Sequence, residues 1–290
     1  MSEIICIAKP NDKTETEYPG YKKFYEKFSA QLKEFHEVHS LDLPDIWVRD
    51  FLPVQNVCTG QLYQPFFNPR YANYTPQFTK EIRQTVLHYF PHAQPCNVRI
   101  DGGNIVLSPD KKYAFCMEKQ TIFKKSEPEQ KAYADKELKK ALGVEEILWL
   151  PHQNGDKIGH IDGYIQFLGD YLMEGSVELY GGITTGTLLD DKATDVLYRY
   201  INNIVPDTDK RVHLICKLQE DSWNWLDASG LYVNFLETSK AVFVPQFGLP
   251  EDERAFNTIK RCTYKTVIKV DCSQIAQYGG AVHCLTKEYK

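Results

Sequence analysis

The sequence predicts an α/β protein built from five strand-and-helix modules set in a pseudo-symmetric ring. Five stretches carry apolar residues at helical spacing. Their starts recur roughly every 50–65 residues. Short β-rich runs bounded by turn residues fill the intervals. A (β/α) barrel would need eight alternations of strand and helix, which leaves an irregular α/β domain as the alternative. With 290 residues, the whole chain, 1–290, is expected to form one domain.

The first helical stretch holds Tyr21, Phe24, Phe28, Leu32 and Phe35, and the second Phe78, Ile82, Val86, Tyr89 and Phe90. The third opens on a capping-box pattern, Ser126 and Glu129 with Pro128 between them, and stops at Gly143. The fourth runs from about Asp190 to Ile204 and the fifth from about Pro250 to Arg261. The β-rich runs are WVRDFLPVQNV, NVRIDGGNIVL, GYIQFLGDYLM, LYVNFLETSKAVFVPQF and TVIKVD.

Composition narrows the function classes. Apolar residues make up 42% and aromatics 13%, enough for a large packed core. The net charge of −5 argues against nucleic acid or an anionic membrane as partner, since both need surplus Lys and Arg. No apolar run reaches membrane-span length, and Glu3 stands where a signal peptide would carry basic charge. The eight cysteines, at 6, 58, 96, 116, 216, 262, 272 and 284, show no CxxC or metal-type pairing. Free thiols in a reducing cytoplasm are therefore expected, with no metal or cofactor.

Four segments could carry chemistry. In GHIDGYIQF, strand alternation would put His160, Asp162, Tyr164 and Gln166 on one face, and Ile161, Gly163, Ile165 and Phe167 on the other. An imidazole and a carboxylate about 7 Å apart suit two groups gripping one small ligand, although a solvent-facing polar strip gives the same pattern. In YGGAVHCLT, Cys284 ends a β-like run after Gly279 and Gly280. A Cys with His and carboxylates elsewhere is a candidate nucleophile, whereas most lone cysteines are small buried apolar residues. On a strand, His283 would point away from Cys284 and make a poor base for it. DIWVRDFLP supplies Trp47, Arg49 and Asp50, and VRIDGGNIV supplies Asp101 and Asn104. Alone, these read as a core Trp, a surface ion pair and a hairpin turn. Asp50, Asp101, His160 and Cys284 nevertheless each fall in the strand region after a different helix, at positions that a five-fold ring would bring to one axis.

In these motifs the chain resembles the guanidine-modifying enzymes of the five-bladed α/β-propeller (pentein) fold, in particular the agmatine deiminase and bacterial peptidylarginine deiminase branch. That family reads W-x-R-D, E-G-G-N, G-H-x-D and G-G-G-x-H-C-x-T. Here WVRD stands at 47–50, DGGN at 101–104, GHID at 159–162 and GGAVHCLT at 279–286, in the same order. A weaker match spans 231–256, so the resemblance covers almost the whole chain.

The resemblance implies a hydrolase that converts a guanidinium to a ureido group plus ammonia, with agmatine, giving N-carbamoylputrescine, as the leading substrate and polyamine metabolism as its setting. By it, Cys284 is the nucleophile, His160 the general acid/base, Asp50 and Asp162 the guanidinium clamp, and Asp101 the residue orienting His160. Trp47 would wall the pocket, Arg49 would pair with a structural carboxylate, and Asp156 would shape the loop before GHID. Asn104, Trp223 and Asp227 are counted as substrate contacts, the last two at the rim beside Trp225. Members often dimerise, and a homodimer is compatible with the sequence. Departures from the pattern are Asp101 for Glu, which calls for a closer backbone or a water to reach His160, Ala281 for the third Gly, Leu52 for Gly, and Lys287 and Glu288 for a Gln pair. Arginine, peptidyl-arginine or another guanidine are alternative substrates, and a non-catalytic binding module is the alternative class. A papain-like hydrolase has its Cys before its His, opposite to the order here.

Overall fold

The computed structural model describes residues 3–69, 74–118, 128–153, 156, 158–179, 184–216 and 227–290. The chain begins with β1 (Ile4–Ala8), α1 (Asp12–Glu17), α2 (Tyr21–Lys33) and β2 (Glu37–Leu41). There follow α3 (Val48–Phe51), β3 (Val54–Gln55), β4 (Leu62–Pro65), α4 (Pro76–Tyr89) and β5 (Gln94–Cys96). Next come β6 (Val106–Leu107), β7 (Tyr113–Met117), α5 (Pro128–Leu142) and β8 (Glu146–Leu150). The fourth group is β9 (Ile165–Leu168), β10 (Tyr171–Leu179), β11 (Thr184–Thr187), α6 (Asp191–Ile204) and β12 (Arg211–Ile215). The chain closes with β13 (Leu236–Glu237), β14 (Ala241–Gln246), α7 (Asp252–Arg261), β15 (Thr266–Asp271) and β16 (Lys287–Tyr289).

Among the described residues these strands form five small sheets with one recurring plan. A short strand pairs antiparallel with a central strand, a helix follows, and a third strand pairs parallel on the central strand's other edge. Thus β3-β4-β5, β6-β7-β8 and β13-β14-β15 repeat the order, with Val244 opposite Lys269 in the last. The fourth sheet adds β11 to the set β9, β10 and β12. In the first sheet the antiparallel strand is β16 from the other end of the chain, with Ile5 opposite Glu288.

The five expected helices are α2, α4, α5, α6 and α7, and local chemistry sets their ends. Thr75 caps α4 by accepting from the Phe78 amide, with Pro76 opening the helix. Asp190 caps α6 through the Ala193 amide. Ser126 of the expected third capping box lies outside the described residues. Two short helices were not expected: α1, whose DKTETE has no apolar periodicity, and α3 within WVRDF.

The chain divides into two compact units. Unit 2 comprises Arg49–Ile161 and Leu189–Pro206. In it α5 packs on β3, β4, β5 and β8, burying Ala134, Leu138, Ala141 and Leu142 against Val54, Cys96, Val98, Ile147 and Trp149. A fully buried Leu such as Leu138 contributes about 1.5–3 kcal/mol. Unit 1 comprises Met1–Val48, Asp162–Leu188 and Asp207–Lys290. Its α2 buries Tyr21, Phe24, Phe28 and Leu32, and Phe28 meets Phe243 of β14 edge-on at 5.9 Å.

Unit 1 also buries a histidine. His36 Nε2 lies 2.8 Å from Thr238 Oγ1, and Nδ1 lies 3.6 Å from Glu3 Oε2. Loss of solvent outweighs the Glu3 charge, and nearby Lys240 acts in the same direction, so His36 titrates below its usual 6.5. A depressed histidine is neutral in the fold, and its contribution to stability is present above 6.5 and lost as pH falls through the folded pKa. The melting temperature should therefore drop between about pH 7.5 and about pH 5.5 more steeply in the parent than in His36→Gln, which cannot titrate. Equal slopes in thermal scans would contradict this.

Candidate active site

All the sequence motifs occupy one place in the plan: the turn that leads into the antiparallel strand of a module. Arg49 and Asp50 sit on α3, just before β3. Gly102–Asn104 form a 3-10 turn before β6, and Ile161–Gly163 another before β9. Asn234 precedes β13 by two residues, and Cys284 lies in the turn before β16. This corrects the strand reading of GHIDGYIQF, because the strand starts only at Ile165. Asp156 Oδ1 accepts from the amides of Ile158 and Gly159, both at 2.8 Å, and Gly159 turns the chain with a φ of 63°. His160 and Asp162 are thus presented by a tight turn. The β-like reading of AVHCLT is corrected in the same way, since residues 282–285 form a turn. WVRDF is helical at its centre, and DGGN, which taken alone reads as a hairpin turn, forms a 3-10 turn.

Unit 2 assembles one imidazole and two carboxylates, all buried. His160 Nε2 lies 3.2 Å from Asp101 Oδ2, and Nδ1 lies 3.5 Å from Asp50 Oδ1. The Asp50 carboxylate also accepts from the Gly103 amide at 3.1 Å. Asp101 therefore reaches the ring directly despite its shorter side chain. Backbone proximity allows this: Gly102 rests against the carbonyl of Arg49, so closely that a Cβ there would overlap its oxygen. Arg49 itself is buried.

Unit 1 assembles the thiol. Cys284 Sγ lies 3.9 Å from Asp162 Oδ2, and that same oxygen is 2.7 Å from His283 Nδ1. His283, set aside as a base, is thus a buried partner of Asp162. Asn234 donates from Nδ2 to Cys284 Sγ at 3.2 Å. Sequence reasoning missed Asn234 because within LYVNF it reads as one polar residue in a strand; its place before the short strand β13 is the signal that finds it. Trp47 packs edge-on against Tyr18 at 5.7 Å, and a Cβ on Gly280 would come within 2.5 Å of the indole and 2.9 Å of Cys284 Cβ. A glycine at 280 is what lets the Trp47 ring approach the turn that carries Cys284.

The remaining expected contacts are placed less directly. Asn104 is fully buried, and its carboxamide donates to the Met117 carbonyl at 3.0 Å and accepts from the Met117 amide at 2.8 Å. That pairing ties the DGGN turn to β7. Asp227 Oδ1 accepts from the Ser229 amide at 2.9 Å, while Trp223 and Trp225 lie outside the described residues.

All eight cysteines are free thiols. Burial pushes Cys6 up to about 12, and Cys96 and Cys216 up to about 11. It also raises Cys116, Cys262 and Cys272. A thiol so raised is protonated, hence inert, at neutral pH. Cys58 is exposed and donates to the Gly143 carbonyl at 3.3 Å. Among the described residues no cluster of His, Cys, Asp or Glu is disposed to hold a metal ion, and no helix is long and apolar enough to cross a membrane.

Solved structures share this arrangement of modules. Agmatine deiminase of C. jejuni matches with a TM-score of 0.72 at 18% identity, covering 99% of this chain and 93% of that one. A Cys-to-Ser variant of the C. jejuni enzyme with substrate bound matches with a TM-score of 0.71 at 16% identity, over 99% and 93%. The fold is therefore the five-module α/β-propeller, or pentein, with a buried Cys beside an acidic side chain. The sequence model of the Porphyromonas-type peptidyl-arginine deiminases matches residues 21–289, and the chain belongs to that family. An agmatine deiminase of Medicago truncatula is 27% identical over 183 residues, 54% of this chain and 48% of that protein. The chain spans about half the length of the curated relatives it matches.

Proposed function

We propose that this chain is a thiol-dependent guanidine deiminase whose substrate is agmatine. The observation that carries the reading is Cys284 Sγ set 3.9 Å from the Asp162 carboxylate and 3.2 Å from the Asn234 amide, in a chain that carries His160 between two carboxylates at an equivalent position of another module. A guanidinium is planar and cationic, and its carbon is a poor electrophile until it is fixed and kept protonated. Asp50 and Asp162 each accept a pair of its N–H groups in charge-assisted bonds. Neutralising Asp162 in this way removes the negative charge nearest the sulfur and favours the thiolate.

The thiolate of Cys284 attacks the guanidinium carbon. His160 protonates the departing nitrogen, which leaves as ammonia, and an S-alkylthiouronium remains on the sulfur. His160, now neutral, takes a proton from a water that attacks the same carbon. The C–S bond then breaks, giving a ureido product and restoring the thiol. Guanidinium and water enter; urea derivative and ammonium leave. Asp101 holds the imidazole through both proton transfers.

Agmatine is favoured by the relatives, since the Medicago and C. jejuni proteins are both called agmatine deiminase. Asp227, and Trp223 beyond the described residues, would receive its distal ammonium. The family's own name favours peptidyl-arginine as the second reading. We place the activity in a single catalytic domain, in the cytoplasm, free of metal and cofactor, and compatible with a homodimer. The test is an assay of ureido product and ammonia with agmatine, arginine and an arginyl peptide side by side. The kcat/KM for agmatine should exceed the others at least about tenfold, or about 1.4 kcal/mol. Absence of ureido product from all three would overturn the assignment, and preference for the peptide would move it to the second reading.

A further inference from the structure

We propose that the groove between α2 and the 269–275 segment binds a compact anion bearing phosphoryl groups, held between the ammonium groups of Lys23 and Lys27. The groove lies wholly within unit 1, and none of the residues that line it takes part in the guanidine chemistry proposed above. The inference is therefore independent of the deiminase reading.

The groove follows from the way α2 meets its neighbours. Phe24 and Phe28 turn inward and are buried, and each is preceded by a lysine, so that Lys23 and Lys27 stand along the helix edge beside the end of β15. Two carboxamides tie the ends of the groove: Gln31 Nε2 donates to the Lys269 carbonyl at 3.0 Å, and Gln274 Nε2 to the Pro19 carbonyl at 2.9 Å. Between these ties an opening of about 240 Å³ remains. Pockets for drug-sized ligands run from about 300 to 1,000 Å³, so the occupant is smaller, on the scale of one or two phosphoryl groups.

Charge selects the class of ligand. Three lysines, at 23, 27 and 269, and one carboxylate, Asp271, line the opening. Lys269 is committed elsewhere, since its Nζ pairs with Glu253 and lies 4.7 Å from the centre of the Phe256 ring. Lys23 and Lys27 are both exposed and stand four residues apart on one face of α2, an arrangement of like charges that weakens a helix. Asp271 offsets one of the two. The Ser273 hydroxyl donates to its Oδ1 at 2.7 Å and the Ser273 amide at 3.2 Å; together with Lys27 and Lys23 they hold the carboxyl below its usual range against the opposing loss of solvent. A net positive charge is left in the groove of a chain whose own net charge is −5. The α2 dipole is not the receptor, because Glu15 already accepts from the Gly20 and Lys22 amides, each at 2.8 Å. An anion between Lys23 and Lys27 relieves their repulsion and adds two charge-assisted contacts. The attraction of two point charges grows with the charge of the ligand, which favours a phosphoryl group over a lone carboxylate.

The test is isothermal titration calorimetry of the full chain with inorganic pyrophosphate, at an ionic strength of about 0.05 M so that surface charge is not screened away. A single saturating site is expected, with Kd at or below about 1 mM. Lys23→Gln combined with Lys27→Gln should weaken it at least about tenfold. Lys22→Gln combined with Lys33→Gln removes the same charge from the same helix outside the groove, and should change Kd less than about twofold. Asp271→Asn keeps an acceptor for Ser273 while removing the carboxylate from the groove, and should tighten binding about threefold. The substituted lysines are exposed, and circular dichroism confirms that each variant is folded. Absence of saturable binding by the parent would overturn the proposal. So would equal weakening by the two lysine pairs, which would make the effect one of net charge alone, or weaker binding in Asp271→Asn, which would mean that the groove receives a cation. Deiminase activity bears on none of these outcomes.

Discussion

Serine in place of Cys284 is expected to lower turnover of guanidine substrates by at least about 10⁴-fold, the order seen when an activated nucleophile is removed as part of a unit. The two side chains differ by one atom, and the Ser hydroxyl can still accept from Asn234, so the turn at 281–284 keeps its hydrogen bonds. Stability should change by less than about 1.5 kcal/mol, as for a near-isosteric core replacement. What is lost is ionisation, because a hydroxyl beside the Asp162 carboxylate has no accessible anion at neutral pH. No other thiol can substitute: burial holds Cys6, Cys96, Cys116, Cys216, Cys262 and Cys272 protonated, and the exposed Cys58 thiol donates to the Gly143 carbonyl. Steady-state kinetics with circular dichroism on the same sample decide the matter. A folded Cys284→Ser variant keeping even a tenth of parental kcat would rule out covalent catalysis through this residue.

The helices were legible because each is bounded by local chemistry that survives any tertiary context: Thr75 and Pro76 before α4, Asp190 before α6, and a run of aromatics every three or four residues along α2. The five-module count follows from those helices alone. The short strands were not legible as elements, since β3, β6 and β13 are two residues each, too brief for a period of two to declare itself. The same brevity misled the reading of the motifs. Ile161, Ile165 and Phe167 alternate convincingly, yet the Asp156 carboxylate and the left-handed Gly159 commit the chain to a turn before the strand begins. That turn is why His160 and Asp162, separated by one residue, find different partners, Asp101 for the first and His283 for the second. His283 was dismissed on strand geometry that the 282–285 turn does not have. Asn234 needed the module plan itself, for only the placement of every motif before an antiparallel strand marks that asparagine among the others.

The second large effect should come from one methyl group. Gly102 has no left-handed φ to protect, so its side-chain requirement is one of space alone. A Cβ there would overlap the carbonyl oxygen of Arg49 and lie 3.1 Å from its carbon and 3.8 Å from Asp50 Cα. These are backbone atoms, and no rotamer change relieves the clash. Either α3 or the 101–104 turn has to move. Movement of α3 carries Asp50 away from the Gly103 amide and from His160; movement of the turn carries Asp101 from His160 and loosens Asn104 from Met117. Both routes misplace a carboxylate that the proposed mechanism needs. Gly102→Ala should therefore cost about 1–3 kcal/mol of stability, the usual range for forced overpacking, and lower kcat/KM for agmatine about 100-fold, as expected for a displacement near 1 Å in a positioned group. Gly169→Ala is the control, since it has nothing within 4 Å of its Cβ and only a φ of 55° to lose; it should cost about 1 kcal/mol and leave kcat/KM unchanged. A Gly102→Ala protein with parental kcat/KM would mean that the Arg49 carbonyl and the DGGN turn move independently of Asp50 and His160, and the close backbone approach would then have no part in aligning the acid/base pair.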